Sequence, residues 1–434
     1  MPSFRIDEMT LLELRHATTS ATRMLSLLTA GYEGEETKLR PRHILDIPQI
    51  QLTSSFRDIF IVPGGLYLVA LTDANVQIWD LEQSYHKACR LYLPISLSAP
   101  RDIKFQLLIG VCASHSSGDY SAFRIAASSR ELPGRITHLV IYEYDAARSP
   151  FQITPIAEKV TTLFFGRHST ILGDILAFSE HQGDLTLWNF VNDTYSKLDI
   201  GWQWRYTNIL IDENYVFLRG LDRVDAYRKP HFSPLRPNEH LEIEAEQTTL
   251  SPHCAFDLVT AQDSDHLISL DSWYFDVPDM YTFDVVQRYM SSIVTCVNFT
   301  ARFRIDPTTL DGGPRHRLAP WPCCIASTQE LDKCEHPVQT FWSSHRLCDG
   351  LTVACYLATS IVAFVVPEGE NASGHNPPLT LNPKSFANPA KVELMHSEQT
   401  ILQYSFNPVS GRLAYCRHDG LKVVDYLWHS MEKE

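Results

Sequence analysis

The stretch "TDANVQIWDL", residues 72–81, places a polar turn at Asp73-Ala74-Asn75 before Val76, Gln77 and Ile78, then closes on Trp79-Asp80-Leu81. A tight turn feeding a period-two alternation is the pattern of a strand with one face in a core. A Trp-Asp dipeptide alone carries little weight; what gives it meaning is that the unit returns. "QGDLTLWNF" (182–190) and "HDGLKVVDYL" (418–427) align with "DANVQIWDL" (73–81). Val76, Leu185 and Leu421 match, as do Ile78, Leu187 and Val423, then Trp79, Trp188 and Val424, and finally Asp80, Asn189 and Asp425.

Weaker copies of the strand end occur at "HLVIYEYD" (138–145), "LDRVDAYR" (221–228) and "TSIVAFVVP" (359–367). More apolar strands precede the units, as in "FIVPGGLYLVAL" (60–71), "GDILAFSE" (173–180), "ENYVFLRG" (213–220) and "FNPVSGRLAYCR" (406–417). Hairpin after hairpin at a long period is how a β-propeller reads in sequence. The expected fold is therefore all-β, a WD-repeat-like β-propeller of about seven blades, within a range of six to eight. Seven blades set six intervals between Asp80 and Asp425, about 58 residues each, against ~40–45 for compact blades. Long inserts are needed, and the candidates are 236–249, 306–324 and 367–391. Trp79 and Trp188 are expected to pack between blades rather than to meet a ligand.

Before the strands, residues 5 to about 29 read as one broken or two short helices, with Asp7 as a cap and Met9, Leu12, Leu14, Met24, Leu27 and Leu28 on the apolar faces. "TAGYEGEETKLRP" interrupts that pattern, and β character begins at about residue 43. The domain division expected is a helical lead over 1–40 and a propeller over 41–430.

The chain of 434 residues is 44% hydrophobic, with a formal charge of −14. That balance argues against a grip on nucleic-acid phosphates and against an anionic membrane surface, both of which need a basic stripe. "LTVACYLATSIVAFVV" (351–366) is short for a bilayer span and β-branched, so it reads as buried strand. The N-terminus has charges scattered through its apolar positions and does not read as a signal peptide. The sequons at Asn192, Asn298 and Asn371 are accordingly expected to be unused, and the 10 cysteines to be thiols.

Catalytic signatures are missing: no G-x-S-x-G, G-x-x-x-x-G-K, H-E-x-x-H or G-x-G-x-x-G in its strand–helix context. His316, Cys323, Cys324, Cys334, His336, His345, Cys348 and Cys355 are dense, but lack the paired two-to-four-residue spacing of a structural zinc site. Asp102, Asp184 and Asp222 have the chemistry to hold a divalent cation at a propeller axis, although turn acids are more often simply solvated. His115 and His181 lie beside turns. No catalytic, cofactor or metal residue is assigned. "GWQWRYTN" (201–208) concentrates Trp202, Trp204, Arg205 and Tyr206, the composition of a protein-binding hot spot and the first candidate partner surface. The plainer alternative is a strand entering a blade, with Trp202, Trp204 and Tyr206 on one face.

The run "HILDIPQIQLTSSFRDIFIVPGGLYLVALTDANVQIWDL" (43–81), after the Leu-rich "LLELRHA" (11–17), resembles the F-box domain-containing proteins of mushroom-forming fungi. Phe56, Arg57, Asp58, Val62, Pro63, Gly64, Gly65, Leu68, Trp79, Asp80 and Leu81 fit that family's pattern, while Leu66 stands where an arginine is usual. The resemblance implies an intracellular, cytoplasmic or nuclear protein and no enzyme. It would bind a protein partner as the substrate-recognition part of a cullin ubiquitin ligase receptor. The family's own F-box, a helical module with a Leu-Pro-x-Glu motif that docks on a Skp-type adaptor, is not found in these residues. A truncated gene and a paralogue that kept only the receptor half both stay open, and the adaptor is a partner only if an F-box lies upstream. The rival class is a propeller enzyme or small-molecule binder acting at the central channel, which would need inward carboxylates or histidines converging on one pocket.

Overall fold

The computed structural model describes residues 11–427 except 31–35, 49–55, 82–94, 99–102, 115–121, 132–135, 147, 149–151, 162–168, 180–183, 201–207, 212–213, 220–222, 235–247, 250–251, 259–281, 291–294, 307–308, 311–314, 319–323, 331–341, 347–351, 358–359, 367–390, 397–399 and 419. The described strands form seven sheets, each built around an antiparallel meander; three of them add a short parallel strand, and one takes its outer strand from the start of the chain. Blade 1 runs Phe56–Ile61, Tyr67–Thr72, Asn75–Asp80 and Ile95–Ser98, and blade 2 runs Ile103–Ala113, Ala122–Glu131, Thr137–Asp145 and Thr154–Thr161. Blade 3 is Ser169–Leu172, Ile175–Ser179, Asp184–Asn189 and Thr194–Asp199; blade 4 is Asn208–Ile211, Tyr215–Arg219, Arg223–Arg228 and Cys254–Leu258. Blade 5 has Thr282–Met290, Thr295–Arg304 and Cys324–Glu330, and blade 6 has Trp342–Arg346, Thr352–Leu357, Ser360–Val366 and Lys391–His396. Blade 7 is Gln403–Asn407, Arg412–Arg417, Gly420–Asp425 and, as its outer strand, His43–Pro48 from the far end of the chain. Strands are lettered a to d from first to last in each sheet.

The a strands lie innermost and meet from blade to blade: blade 7 against 1, 1 against 2, 2 against 3, and 3 against 4. Ring closure follows from the pairing of His43–Pro48 with Gly420–Asp425, which puts the two ends of the chain into one sheet. This is a WD-repeat-like β-propeller. The six recurring units of the sequence are the c strands of blades 1, 3, 7, 2, 4 and 6.

Those units repeat because each strand has two walls to satisfy. Val76 and Ile78 pack into the seam towards blade 2, Leu185 and Leu187 into the seam towards blade 4, and Leu421 and Val423 into the seam towards blade 1. One residue on, the side chain points the other way, as period two requires. Trp79 therefore packs against Ala414, Cys416 and Leu421 of blade 7, Trp188 against Ala126, Leu139 and Ile141 of blade 2, and Val424 against blade 6. Among the described residues the core lies in seams between neighbouring sheets, with apolar residues on both faces of the c strands of blades 1, 3 and 7. Asn189 and Asp425 end their strands for a separate reason: Asn189 Oδ1 accepts from the amides of Val191 and Asn192, and Asp425 Oδ1 from that of Leu427. Such Asx contacts shape the reversal that follows.

The lead forms one continuous helix over its described part, α1 (Leu11–Thr29), rather than a broken one. Ser20, Met24 and Leu28, four residues apart, are its buried stripe. Thr18, Thr19, Ser26 and Thr29 bond back to the carbonyl four residues earlier, a habit that weakens an isolated helix. Docking holds it instead: Met24 and Leu28 enter the seam between blades 6 and 7, and Arg23 reaches the Leu427 carbonyl at 3.3 Å. Strand structure then begins earlier than residue 43, because Glu36–Lys38 pairs in parallel with Lys391–His396 at the edge of blade 6.

Two of the expected inserts fall between strands and give strands of their own. Residues around 236–249 interrupt blade 4, and the flanking pairs Ser233–Pro234 and Thr248–Thr249 join the outer strand of blade 3. Residues around 306–324 interrupt blade 5, and Arg315–Leu318 extends blade 4. An insert in one blade thus covers the exposed edge of the blade before it, which removes a template for stray strand pairing. The third insert, 367–391, lies outside the described residues but for Lys391, which opens the outer strand of blade 6.

Candidate functional site

A buried arginine must be paired, so the buried arginines mark where the fold has spent its charges. Arg412 opens the b strand of blade 7 directly across from Asp425, and its Nε lies 3.0 Å from Asp425 Oδ2, with both side chains at most a tenth exposed. Its Nη1 donates at 2.5 Å to the carbonyl of Gly65, in the first turn of blade 1. Gly65 has φ +79°, and a Cβ there would stand 2.2 Å from Ser410 Oγ, so only glycine fits. The Ile61 amide donates to Ser405 Oγ at 2.9 Å along the same seam. The "VPGG" turn singled out in the sequence is thus a docking element between blades 1 and 7.

Blade 2 repeats the device. Arg124 on its b strand faces Glu143 on its c strand, with Nε 3.1 Å from Glu143 Oε2. Nη1 donates to the Gly173 carbonyl at 3.0 Å and pairs with Asp174, both in the first turn of blade 3, and the guanidinium lies over the Phe190 ring at 5.2 Å. Gly173, too, has positive φ. Ser114 Oγ donates to Glu143 Oε2 at 2.8 Å. Burial works against the Arg124 cation, and the bonds to Asp174 and Glu143 outweigh it, so its pKa rises. Nearby Cys112 is pushed up to about 12, chiefly by burial, which leaves a thiol and no nucleophile.

Ser360, His396 and Glu393 on blade 6 have the residue types of a catalytic triad. Ser360 Oγ lies 3.0 Å from His396 Nδ1 and 3.2 Å from Glu393 Oε2, while Lys38 Nζ sits 3.1 Å from Glu393 Oε1. The serine has one proton. Glu393, an anion beside Lys38, only accepts, so that proton goes to Glu393 and the imidazole donates to Ser360. A base that activates a nucleophile must accept from it, and the carboxylate must lie behind the histidine; neither holds here. The group is an internal hydrogen-bond network.

Trp202, Trp204, Arg205 and Tyr206 lie outside the described residues, between the outer strand of blade 3, Thr194–Asp199, and the inner strand of blade 4, which begins at Asn208. Asp102, Asp222, His115 and His181 also lie outside them, while Asp184 opens the c strand of blade 3. Of the Cys/His-rich stretch, His316 stands on the added strand of blade 4, Cys324 on blade 5, and His345 and Cys355 on blade 6. Cys323, Cys334, His336 and Cys348 are not described. The backbone distributes the described members over three sheets. On the described a strands the carboxylates are Asp58 in blade 1, whose Oδ1 accepts from the Ile59 amide next to it, and Asp284 in blade 5, with His345 on that of blade 6. The pair of arginine clasps was not visible in the sequence, because the partner of each is a carbonyl in another blade.

Ring, inner strands and inter-blade clasps define a WD-repeat-like propeller whose two buried arginines each bridge neighbouring blades. Neither a protein-family model nor a curated protein matches the sequence. Among solved structures the chain is similar to the C-terminal WD40 domain of Sif2, at 9% identity and TM-score 0.46, covering 90% of this chain and 99% of that one. It is similar at 10% identity and TM-score 0.48 to a chain in the humanized mutant of the Chaetomium thermophilum Polycomb Repressive Complex 2 bound to the inhibitor GSK126, covering 89% and 97%. The N-terminal domain of Nup159 gives 11% identity and TM-score 0.43, covering 91% and 97%. Among the described residues no helix is long and apolar enough to cross a membrane.

Proposed function

We propose that this chain is a non-enzymatic protein-interaction module, organised as a helical lead over 1–40 docked on a propeller over 41–430. The observation that carries the reading is how the two buried arginines are used. Arg412 with Asp425, and Arg124 with Glu143 and Asp174, are committed to joining blades. A scaffold that spends its polar chemistry on rigidity leaves recognition to the connections between strands, where loops vary without disturbing the core. Trp202, Trp204, Arg205 and Tyr206 fall in one such connection and supply the aromatic and arginine content of a hot spot. The partner is a protein, not a nucleic acid or a membrane surface, in keeping with the net charge of −14.

In its finer form the proposal is that the propeller is the substrate-recognition part of an F-box-like receptor of a cullin ubiquitin ligase, cytoplasmic or nuclear, holding a target while other subunits transfer ubiquitin. Support for this comes from the "FRDIFIVPGG" and "IWDL" runs alone. The coarse reading is tested by affinity capture with the full chain and with Trp202→Ala/Arg205→Ala. A partner retained by the first and lost by the second, at equal melting temperature, is the expected result. Recovery of nothing above background, together with a melting temperature raised by calcium, would favour the channel-binder class instead. The ligase reading is tested separately, by reading the genomic DNA upstream of Met1 for an in-frame Leu-Pro-x-Glu helix; a stop codon before any such motif argues against it.

A further inference from the structure

His138 is the second residue of the c strand of blade 2, with its side chain at 13% exposure. Nδ1 lies 2.9 Å from Glu158 Oε1 on the outer d strand, and Nε2 lies 3.0 Å from Glu131 Oε1 at the end of the b strand. An ionised carboxylate offers only lone pairs, and a neutral imidazole has one N–H to give. Both contacts are made together only by the doubly protonated ring. We propose that His138 is a proton-operated latch that holds the outer strand of blade 2, Thr154–Thr161, to its sheet.

Beyond its backbone ladder to Thr137–Asp145 and the Lys159–Asp193 pair, the strand it holds has few buried side chains to anchor it. Thr154, Pro155, Ile156 and Glu158 are exposed, Thr161 is its one buried residue, and the register slips between Pro155 and Ala157. Blades 3, 4 and 6 carry a further strand outside their d strands, whereas blade 2 ends on this one among the described residues. Among the described residues, the other titratable groups near the cluster on these strands are Arg130 on the b strand, Tyr142 on the c strand, whose pKa is raised by burial and by Glu158, and Lys159 on the d strand, which turns away to Asp193 of blade 3, at 2.9 Å. Burial disfavours the cation, and the bonds to Glu158 and Glu131 outweigh it, raising the pKa of the ring. A histidine whose pKa is raised by folding contributes its full stabilisation below the unfolded value of about 6.5 and loses it as pH climbs through the folded value. Loss of the proton sets a ring lone pair against a carboxylate oxygen, and the outer strand loosens, baring the edge of Thr137–Asp145 to another strand.

The test is a side-chain NMR titration of the full chain labelled at histidine, with His138→Gln to assign the resonance, alongside hydrogen exchange from about pH 6 to about pH 9. The titration midpoint should lie above ~6.5 and fall in Glu158→Gln. Protection factors for Thr154–Thr161 should drop as pH passes the midpoint, while those of Asp184–Asn189 in blade 3 hold. A midpoint at or below ~6.5, or protection of Thr154–Thr161 that does not follow the ring, overturns the proposal. Should His138→Gln fail to fold, Glu158→Gln reads the same coupling.

Discussion

The guanidinium of Arg412 and the carbonyl of Gly65 are 347 residues apart in the chain and 2.5 Å apart in space. Between them they join the last blade to the first, and Asp425 holds the guanidinium in place. Arg124 and Gly173 stand in the same relation one seam from blade 1, between blades 2 and 3. The two clasps share a logic: an arginine on a b strand, an acid across from it on the c strand, and a positive-φ glycine carbonyl offered by the next blade.

Arg412→Ala leaves Asp425 buried without its counter-charge, and breaking a buried pair in this way costs about 3–5 kcal/mol. A urea titration should show a lower midpoint at unchanged slope. Arg412→Lys keeps a charge but lacks the fork that reaches both Asp425 and Gly65, so it should fall between the two.

Gly65→Ala carries two separable penalties. The left-handed backbone costs roughly 1–2 kcal/mol for an L side chain, and the new Cβ meets Ser410 Oγ at 2.2 Å. Adding Ser410→Gly should recover the steric part and leave the backbone part. A double-mutant cycle on melting temperature measures the coupling, and strict additivity would mean that the two turns do not touch.

Trp79→Ala and Trp188→Ala should each destabilise by about 3–5 kcal/mol, as large side chains removed from a packed seam. Trp188→Phe should be milder but not silent, since the indole Nε1 donates to Asp193 Oδ1 at 3.1 Å. Neither tryptophan should alter the affinity for a captured partner at temperatures where the variant is folded; a loss there would make it a contact residue.

Burial pushes the thiols of Cys112 and Cys416 up to about 12, and raises those of Cys254 and Cys355 as well. Alkylation of the native protein near pH 8 should spare all four, and peptide mass spectrometry should find them modified once urea is added. Each thiol holds its proton more firmly folded than unfolded. Stability is therefore full below the unfolded thiol value of about 8.5 and declines as pH rises above it.

The c strands could be read from sequence because each must satisfy two neighbouring seams, which forces Val76, Ile78 and Trp79 into an order that Leu185, Leu187 and Trp188 repeat. Blade 5 offered no comparable unit: its paired strands, Thr282–Met290 and Thr295–Arg304, mix polar with apolar residues and lack the turn-strand-Asp signature. Glu36–Lys38 was missed since a three-residue parallel edge strand is fixed by its neighbour, not by its own residues. Arg412 and Arg124 were missed for a related reason: a backbone carbonyl as partner leaves no mark in composition. The candidate hot spot, by contrast, was legible only as composition, and Trp202 to Tyr206 fall outside the described residues.

The completion of blade 7 by His43–Pro48 also has a bearing on biosynthesis. That strand leaves the ribosome about 380 residues before its partner Gly420–Asp425. At roughly 5–20 residues per second it waits about 20–75 s. Through that interval "HILDIP" is an unmatched β-edge on a nascent chain, within reach of other nascent chains. Its Asp46, tied to Lys422 in the finished ring, is during that time a bare negative charge, a gatekeeper against premature pairing.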